Sequence, residues 1–203
     1  MFTQLSEHST LVVQTSNRLD DLYESIMKGD IQSIQDFLKA HPTDLQKRNQ
    51  AKQTVLHDVF DTLKEEVDTT TRLSMFELLL NEGALVNAQN AQGETALHLA
   101  IEAGPEIVKF LLEKDALYDI QDKDGQTPLH VAANLGCAQS FKLLLSKGSD
   151  LFVEDQDQMT PLSLAQKQIQ EAGPCTPEKN LIGWQEIIQE AIKISKSFNI
   201  ARR

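Results

Sequence analysis

Residues 125–136 read GQTPLHVAANLG, and this stretch decides the fold because a close variant, GETALHLAIEAG, occupies residues 93–104. Threonine ahead of an apolar run is a preferred helix N-cap, and a proline directly after it fits the first helical position. The glycine at the end of each stretch permits the left-handed turn that stops a short helix. Each stretch therefore predicts a short helix with defined ends.

The same pattern recurs along the chain. Its threonines are spaced by 41, 32 and 33 residues, at Thr54, Thr95, Thr127 and Thr160. A second pattern keeps phase with the first: LLL at 78–80, FLL at 110–112 and LLL at 143–145, and a weaker unit begins near Leu22. Two motifs that recur with the same spacing predict five units. Each unit consists of two helices and a connecting loop, called the finger here, that leads to the next unit. The sequences NAQG at 90–93 and DKDG at 122–125 predict β-hairpin turns in the fingers.

These motifs resemble the ankyrin repeat, a unit of about 33 residues with a T-P-L-H-x-A core. The resemblance covers roughly residues 20 to 195 and implies one elongated all-α domain, a solenoid of about five helix-turn-helix repeats with short β-hairpin fingers. Some repeats depart from the pattern. The finger glycine is replaced by Lys52 and Gln158, and the histidine by Tyr23 and Ser163. Departures are expected in outer repeats, which have one face in water.

The predicted organisation is an N-terminal extension at residues 1–19, a repeat domain at 20–196 and a basic tail at 197–203. The repeats are assigned to residues 20–48, 49–88, 89–121, 122–154 and 155–196. Insertions are predicted at 64–71 and 173–183, between the two helices of the second and fifth repeats. Each insertion is either a tolerated surface loop or a docking feature. A helix that begins with Trp184 is expected to close the array.

Composition and charge exclude several classes of protein. Nineteen Lys and Arg against thirty Asp and Glu give a net charge of −11, which opposes phosphate backbones and anionic lipid. Nucleic-acid binding and membrane insertion are therefore not expected. Two cysteines can form at most one disulfide, which is too few to stabilise a fold of this size. No signal peptide or long apolar segment is recognisable. These features predict a soluble, cytoplasmic protein.

No motif for catalysis, a cofactor or a metal is found. The chain has no glycine-rich phosphate loop, no G-x-S-x-G elbow and no H-E-x-x-H. The histidines His57, His98 and His130 recur once per repeat, and packed helices about 8–10 Å apart hold such side chains too far apart for one zinc ion. Cys175 lies in a proline-flanked loop without a nearby base to activate it. A non-catalytic protein is predicted; an enzyme of unrecognised type is the remote alternative.

The resemblance implies structural roles for Thr95, His98, Thr127 and His130, in which each histidine bonds to its threonine and to neighbouring backbone. It also implies binding of a protein partner through a concave face made of finger tips and first helices. The positions that match this face are Ala91, Gln92, Glu94, Glu102, Ala103, Lys123, Asp124, Gln126, Asn134, Leu135, Gln156, Asp157, Met159, Lys167 and Gln168. Leu135 and Met159 are expected to be neighbours there. They form either the apolar centre of a binding site or part of the core between repeats.

Negative charge is concentrated in the central repeats. Residues 54–160 contain seven Lys and Arg against nineteen Asp and Glu, a balance of −12. This charge is either an ordinary solvated surface or a means of steering a partner with a basic surface. The chain itself is expected to be monomeric.

Narrower roles stay open at this stage. The module could act as an adaptor, an inhibitor or an assembly factor in a eukaryotic cell, or as a bacterial effector delivered into a host cell. One modification is also considered. Val86-Asn87-Ala88, with Leu79 eight residues before the asparagine, resembles a site of asparaginyl hydroxylation in ankyrin repeats. The alternative role of Asn87 is a hydrogen bond that stabilises its hairpin.

Overall fold

The computed structural model describes residues 21–41, 45, 53–61, 67–172 and 177–201, with the backbone alone for residues 61 and 195–201. This part of the chain is all-α, as the sequence predicts. It forms two compact units, one ending at Ala91 and the other beginning at Gln92. The predicted repeat domain therefore comprises two units.

The first unit contains four helices. Helix α1 includes residues 21–28, and α2 (Ile31–Ala40), α3 (Val55–Asp61) and α4 (Thr69–Asn81) follow. Helix α4 packs against both α2 and α3. The rings of Phe60 and Phe76 lie 5.0 Å apart between α3 and α4. The buried apolar side chains of α1 and α2 are Leu22, Ile26, Ile34 and Leu38.

Helix α4 begins inside the insertion predicted at residues 64–71. The Asp68 carboxylate accepts hydrogen bonds from the Thr71 N–H, at 2.8 Å, and from the hydroxyls of Thr70 and Thr71. These bonds, the one from the Thr70 hydroxyl first, lower the pKa of Asp68 to about 2. An N-cap aspartate of this kind starts a helix, so residues 69–71 are helical. Residues 1–20 and 62–66 lie outside the described part of the chain.

The second unit is built of helices in two layers. Its elements are α5 (Ala96–Ala103), α6 (Pro105–Glu113), α7 (Pro128–Leu135), α8 (Ala138–Lys147), α9 (Pro161–Glu171) and α10 (Glu178–Ala201). Helix α7 packs between α5 and α9, and α8 packs between α6 and α10. The fully buried side chains between the layers include Leu97, Ile107, Leu129, Phe141, Leu144 and Ile187.

The ends of α7 follow from its local sequence. Thr127 caps the helix with extended backbone, and Pro128 occupies the first helical position. Gly136 ends the helix in the left-handed conformation, with φ of 70°. The N–H of Cys137 then reaches the Ala132 carbonyl at 2.9 Å, which closes the last turn.

The prediction that the last helix begins at Trp184 is wrong. Helix α10 begins at Glu178, and its first turn is closed by hydrogen bonds from the N–H groups of Asn180 and Leu181 to the Pro177 carbonyl. Gly183 therefore lies inside the helix. It is kept free of a side chain because a Cβ there would overlap the Gly136 carbonyl. The helix continues through residue 201, so much of the predicted basic tail is helical.

The fingers of the second unit are tight turns and contain no strand among the described residues, which corrects the predicted β-hairpins. The N–H of Asp122 bonds to the Gln126 carbonyl at 2.9 Å. The Asp122 carboxylate accepts the N–H groups of Asp124 and Gln126 at 2.9 and 2.8 Å. The Asp122 carboxylate thus accepts hydrogen bonds that the carbonyl groups of a partner strand would accept in a hairpin. The turn therefore closes without a β-ladder.

Candidate functional site

Two finger turns of the second unit have the same geometry. In the second of them the N–H of Asp155 bonds to the Met159 carbonyl at 3.0 Å. The Asp155 carboxylate accepts the N–H groups of Asp157 and Met159, both at 2.9 Å. The sequence signal for a turn closed by an aspartate is the aspartate repeated at 122 and 155. Each lies three residues before the finger glycine or its replacement. We define residues 92–94, 122–126 and 155–159 as the finger surface.

Successive fingers are bonded to one another through their backbones. The Lys123 N–H donates to the Gln92 carbonyl, and the Gln156 N–H donates to the Asp124 carbonyl, both at 2.9 Å. The Gln156 side-chain amide adds a bond to the Lys123 carbonyl. These bonds fix the backbone of the finger tips while the Lys123 and Asp124 side chains are exposed.

Gly93 and Gly125 leave room for the backbone of the finger that follows each of them. A Cβ at Gly93 would lie 2.8 Å from the Lys123 nitrogen, and one at Gly125 would lie 2.9 Å from the Gln156 nitrogen. Gln158 occupies the equivalent place in the third finger and keeps the left-handed backbone, with φ of 59°. Its side chain is exposed. The departure at Gln158 therefore marks the last finger of the described chain.

The repeated histidines bond to the finger backbone. The Nδ1 atom of His98 accepts the Thr95 N–H at 3.1 Å and lies 2.9 Å from the Thr95 hydroxyl. The proton of the neutral ring is therefore on Nε2, which donates to the Gln126 carbonyl at 3.1 Å.

His130 repeats this arrangement with Thr127. Its Nε2 atom lies 3.1 Å from the Val153 carbonyl and 3.2 Å from the Met159 carbonyl. Burial lowers the pKa of both imidazoles below the ordinary value of 6.5. Both rings are therefore kept in the neutral form, which can donate at one nitrogen and accept at the other.

The predicted binding residues separate into two groups. Those on the finger surface include exposed and half-buried side chains: Gln92, Glu94, Lys123, Asp124, Gln126, Gln156, Asp157 and Met159. Those near the carboxyl ends of the first helices are Glu102, Ala103, Asn134 and Leu135. Lys167 is exposed in α9, and Gln168 donates to the Asn134 side chain at 2.8 Å. Ala91 belongs to the first unit.

The expected contact between the Leu135 and Met159 side chains stays a prediction, although their backbones lie at different ends of α7. The Met159 carbonyl is held by His130 in the first turn of α7, whereas Leu135 is the last residue of that helix. A rise of about 1.5 Å per residue separates positions 130 and 135 by about 7.5 Å along the axis. Met159 contacts the Ser163 hydroxyl, and Leu135 lines a groove.

This groove was not predicted from the sequence. Its volume is about 610 Å³, and it lies where α5 and α7 end and where α6 and α8 begin, with α10 as a wall. Trp184 fixes α10 there by donating its indole N–H to the Asn134 carbonyl at 3.2 Å. Glu102 and Leu135 are the predicted residues that line it. Gly183 inside an apolar-periodic helix was the available sequence signal.

Asn87 and Cys137 lie in different surroundings. Asn87 is half-buried in a turn after α4, and its modification stays a prediction. Cys137 is half-buried in the groove, and burial raises the pKa of its thiol, which opposes reactivity. Cys175 lies outside the described residues.

Neither a metal cluster nor a membrane span is found in the described part of the chain. No group of three or more His, Cys, Asp or Glu side chains there could hold a metal ion. The helices in these residues are also too short or too polar to cross a bilayer.

Comparison with protein-family models matches three overlapping stretches of the chain. Residues 22–122, 67–155 and 117–172 match the model described as ankyrin repeats, in three copies. The matches together extend from residue 22 to residue 172 and so include most of both units. A search of curated proteins finds no match.

Proposed function

Because the chain belongs to the ankyrin-repeat family, whose members generally mediate protein–protein interaction, we propose that it binds a protein partner through its finger surface. Its action is non-catalytic, as is typical of the family. The observation that carries the proposal is the bonded row of fingers. Backbone hydrogen bonds join Gln92 to Lys123 and Asp124 to Gln156, while the charged side chains between them stay exposed.

A row of this kind suits recognition because the backbone is ordered before the partner arrives. A preorganised surface loses little conformational entropy on association, so more of the contact energy appears as affinity. The exposed side chains Lys123, Asp124 and Asp157 can then differ between repeat proteins without disturbing the turns. Acting as an adaptor, an inhibitor or an assembly factor requires only this binding.

The test is a charge exchange at a finger tip. In Lys123→Asp/Asp124→Lys the net charge is unchanged, while the positions of the two charges are reversed. Proteins captured by the wild-type chain from a lysate of the source or host cell are identified by quantitative mass spectrometry. The affinity of the purified partner is then measured by calorimetry. We expect the exchange to weaken binding about tenfold or more, as for substitution in the centre of an interface.

The matched control is the exchange Lys109→Glu/Glu113→Lys on α6. These exposed residues form an ion pair at 4.0 Å within one helix, and the exchange also conserves net charge. We expect it to change the affinity less than twofold. Equal binding by the wild type and the finger variant, or equal loss in both variants, would contradict the finger surface as the binding site.

A further inference from the structure

The groove in the second unit has an apolar floor. Ile101 and Ala138 are buried beneath it, while Leu135 and Ile182 line it with 37% and 48% of their surface exposed. Large apolar side chains exposed in a concave surface favour the binding of an apolar group, because association removes them from water. The volume of about 610 Å³ is within the range of about 300–1,000 Å³ typical of ligand sites.

The rim of the groove is acidic. Among its described lining residues are three carboxylates, Glu102, Glu178 and Glu186, and one ammonium group, that of Lys179. Glu186 is paired with Lys142 at 2.7 Å. With Lys142 counted as well as Lys179, the carboxylates exceed the ammonium groups by one, and this surplus favours positive charge in a bound group.

We propose that this groove binds a short linear segment of a partner protein that carries an apolar side chain flanked by lysine or arginine. The apolar side chain contacts Leu135 and Ile182, and the flanking cations meet Glu102 and Glu178. The inference rests on the proposed function, protein binding, and adds a second surface at the end of α7 away from the fingers. The groove has room for a few side chains, so its occupant is a segment and not a folded domain.

The test uses a phage-displayed library of random linear twelve-residue peptides, selected on the full chain. Enriched peptides are synthesised with a fluorescent label, and their affinities are measured by fluorescence polarisation. We expect enriched peptides to combine apolar residues with lysine or arginine. Ile182→Arg is expected to weaken their binding about tenfold or more, because it places a cation among the apolar side chains that line the groove.

The matched control is Ile192→Arg. Ile192 is on the same helix, is 42% exposed and is not among the residues that line the groove. A second pair tests the charge: Glu102→Lys in the rim is compared with Glu171→Lys, an exposed carboxylate of α9. Circular dichroism and melting temperature show that each variant is folded. We expect only the groove variants, Ile182→Arg and Glu102→Lys, to lose affinity.

Cys137 offers a readout of where the peptide binds. In Cys175→Ser, Cys137 is the remaining thiol of the chain, and it lines the groove. A bound peptide is expected to slow its reaction with a thiol reagent at least threefold, whereas a scrambled peptide that does not bind leaves the rate unchanged.

Several results would overturn the inference. They are a library that yields no binding peptide, enriched peptides that are acidic, and equal affinities for Ile182→Arg and Ile192→Arg. Self-association of the chain that Ile182→Arg abolishes would assign the groove to a second copy instead. The finger exchange Lys123→Asp/Asp124→Lys should leave peptide binding unchanged, so failure of the groove and failure of the finger surface give different results.

Discussion

At the scale of single residues, Gln158 shows how a repeat ends. Its backbone is left-handed, with φ of 59°, as at Gly93 and Gly125 with φ of 85° and 76°. For a residue with a side chain this conformation is unfavourable by about 1–2 kcal/mol, and glycine removes that cost. Glycine also has more conformational freedom in the unfolded chain, which offsets part of the gain in stability. We therefore expect Gln158→Gly to raise the free energy of unfolding by about 1 kcal/mol or less, measured by urea denaturation.

The control for this prediction is Gln170→Gly. Gln170 is exposed in the last turn of α9, where glycine disfavours the helix by about 1 kcal/mol or less. The two substitutions are chemically identical, but their effects on the free energy of unfolding should have opposite signs. A loss of stability in Gln158→Gly would show that its side chain contributes more than its backbone conformation costs.

The buried histidines predict a dependence of stability on pH. Burial lowers the pKa of His98 and of His130 below 6.5, so the unfolded chain binds protons that the folded chain does not. The stability is then complete above pH 6.5 and falls as the pH is lowered through that value. We expect the free energy of unfolding to be smaller at pH 5.5 than at pH 7.5.

The variant His98→Gln/His130→Gln separates this effect from other titrations. It is expected to be less stable than the wild type at pH 7.5, because its side chains replace the bonds to Thr95 and Thr127 imperfectly. Its stability should nevertheless change less between the two pH values. An equal change in both proteins would exclude the histidines as the cause.

At the scale of elements, α10 depends on a close approach of two backbones. Helix propensity alone predicts that Gly183→Ala stabilises a helix by about 1 kcal/mol. The Cβ would, however, overlap the Gly136 carbonyl, which is held in place because its residue ends α7. We expect Gly183→Ala to destabilise the second unit by about 1–3 kcal/mol, as overpacking does.

The measurement is thermal unfolding followed by circular dichroism, with Gln185→Ala as the control. Gln185 is exposed two residues later in α10, so its replacement should be nearly neutral. A higher melting temperature for Gly183→Ala would mean that α10 is not seated against Gly136. The groove wall would then be placed differently as well.

At the scale of the whole molecule, the net charge of −11 governs how a partner approaches. Opposite charge accelerates association, and salt screens this attraction. For a basic partner of the finger surface, we expect the association rate to fall about tenfold when the NaCl concentration rises from about 20 to about 200 mM. The dissociation rate should change much less.

Stopped-flow mixing checks this prediction, with Asp124→Asn/Asp157→Asn as the variant. Removal of two exposed charges from the finger surface should slow association at low salt and matter less at high salt. An association rate that does not depend on salt would mean that the acidic residues are an ordinary solvated surface.

Much of the fold was predictable because its determinants are local. Thr127 and Gly136 start and stop α7 through hydrogen bonds to nearby residues, and Pro128 fits the first helical position because its φ is fixed. The family prediction made from the repeated T-P-L-H motif is confirmed by the matches over residues 22–172. The site was less predictable. The groove lined by Leu135 and Ile182 was not predicted, because which side chains share a surface depends on the packing of whole helices.

The sequence by itself determined the helical class, the repeat and the ends of α5 and α7, because capping and apolar spacing act within a few residues. Only the tertiary structure decided that α10 begins at Glu178, that the fingers close without strands, and that a groove forms beside Leu135. The physical reason is distance along the chain. The contact of Gly183 with Gly136 and the bond of Trp184 to Asn134 join segments that no local pattern relates.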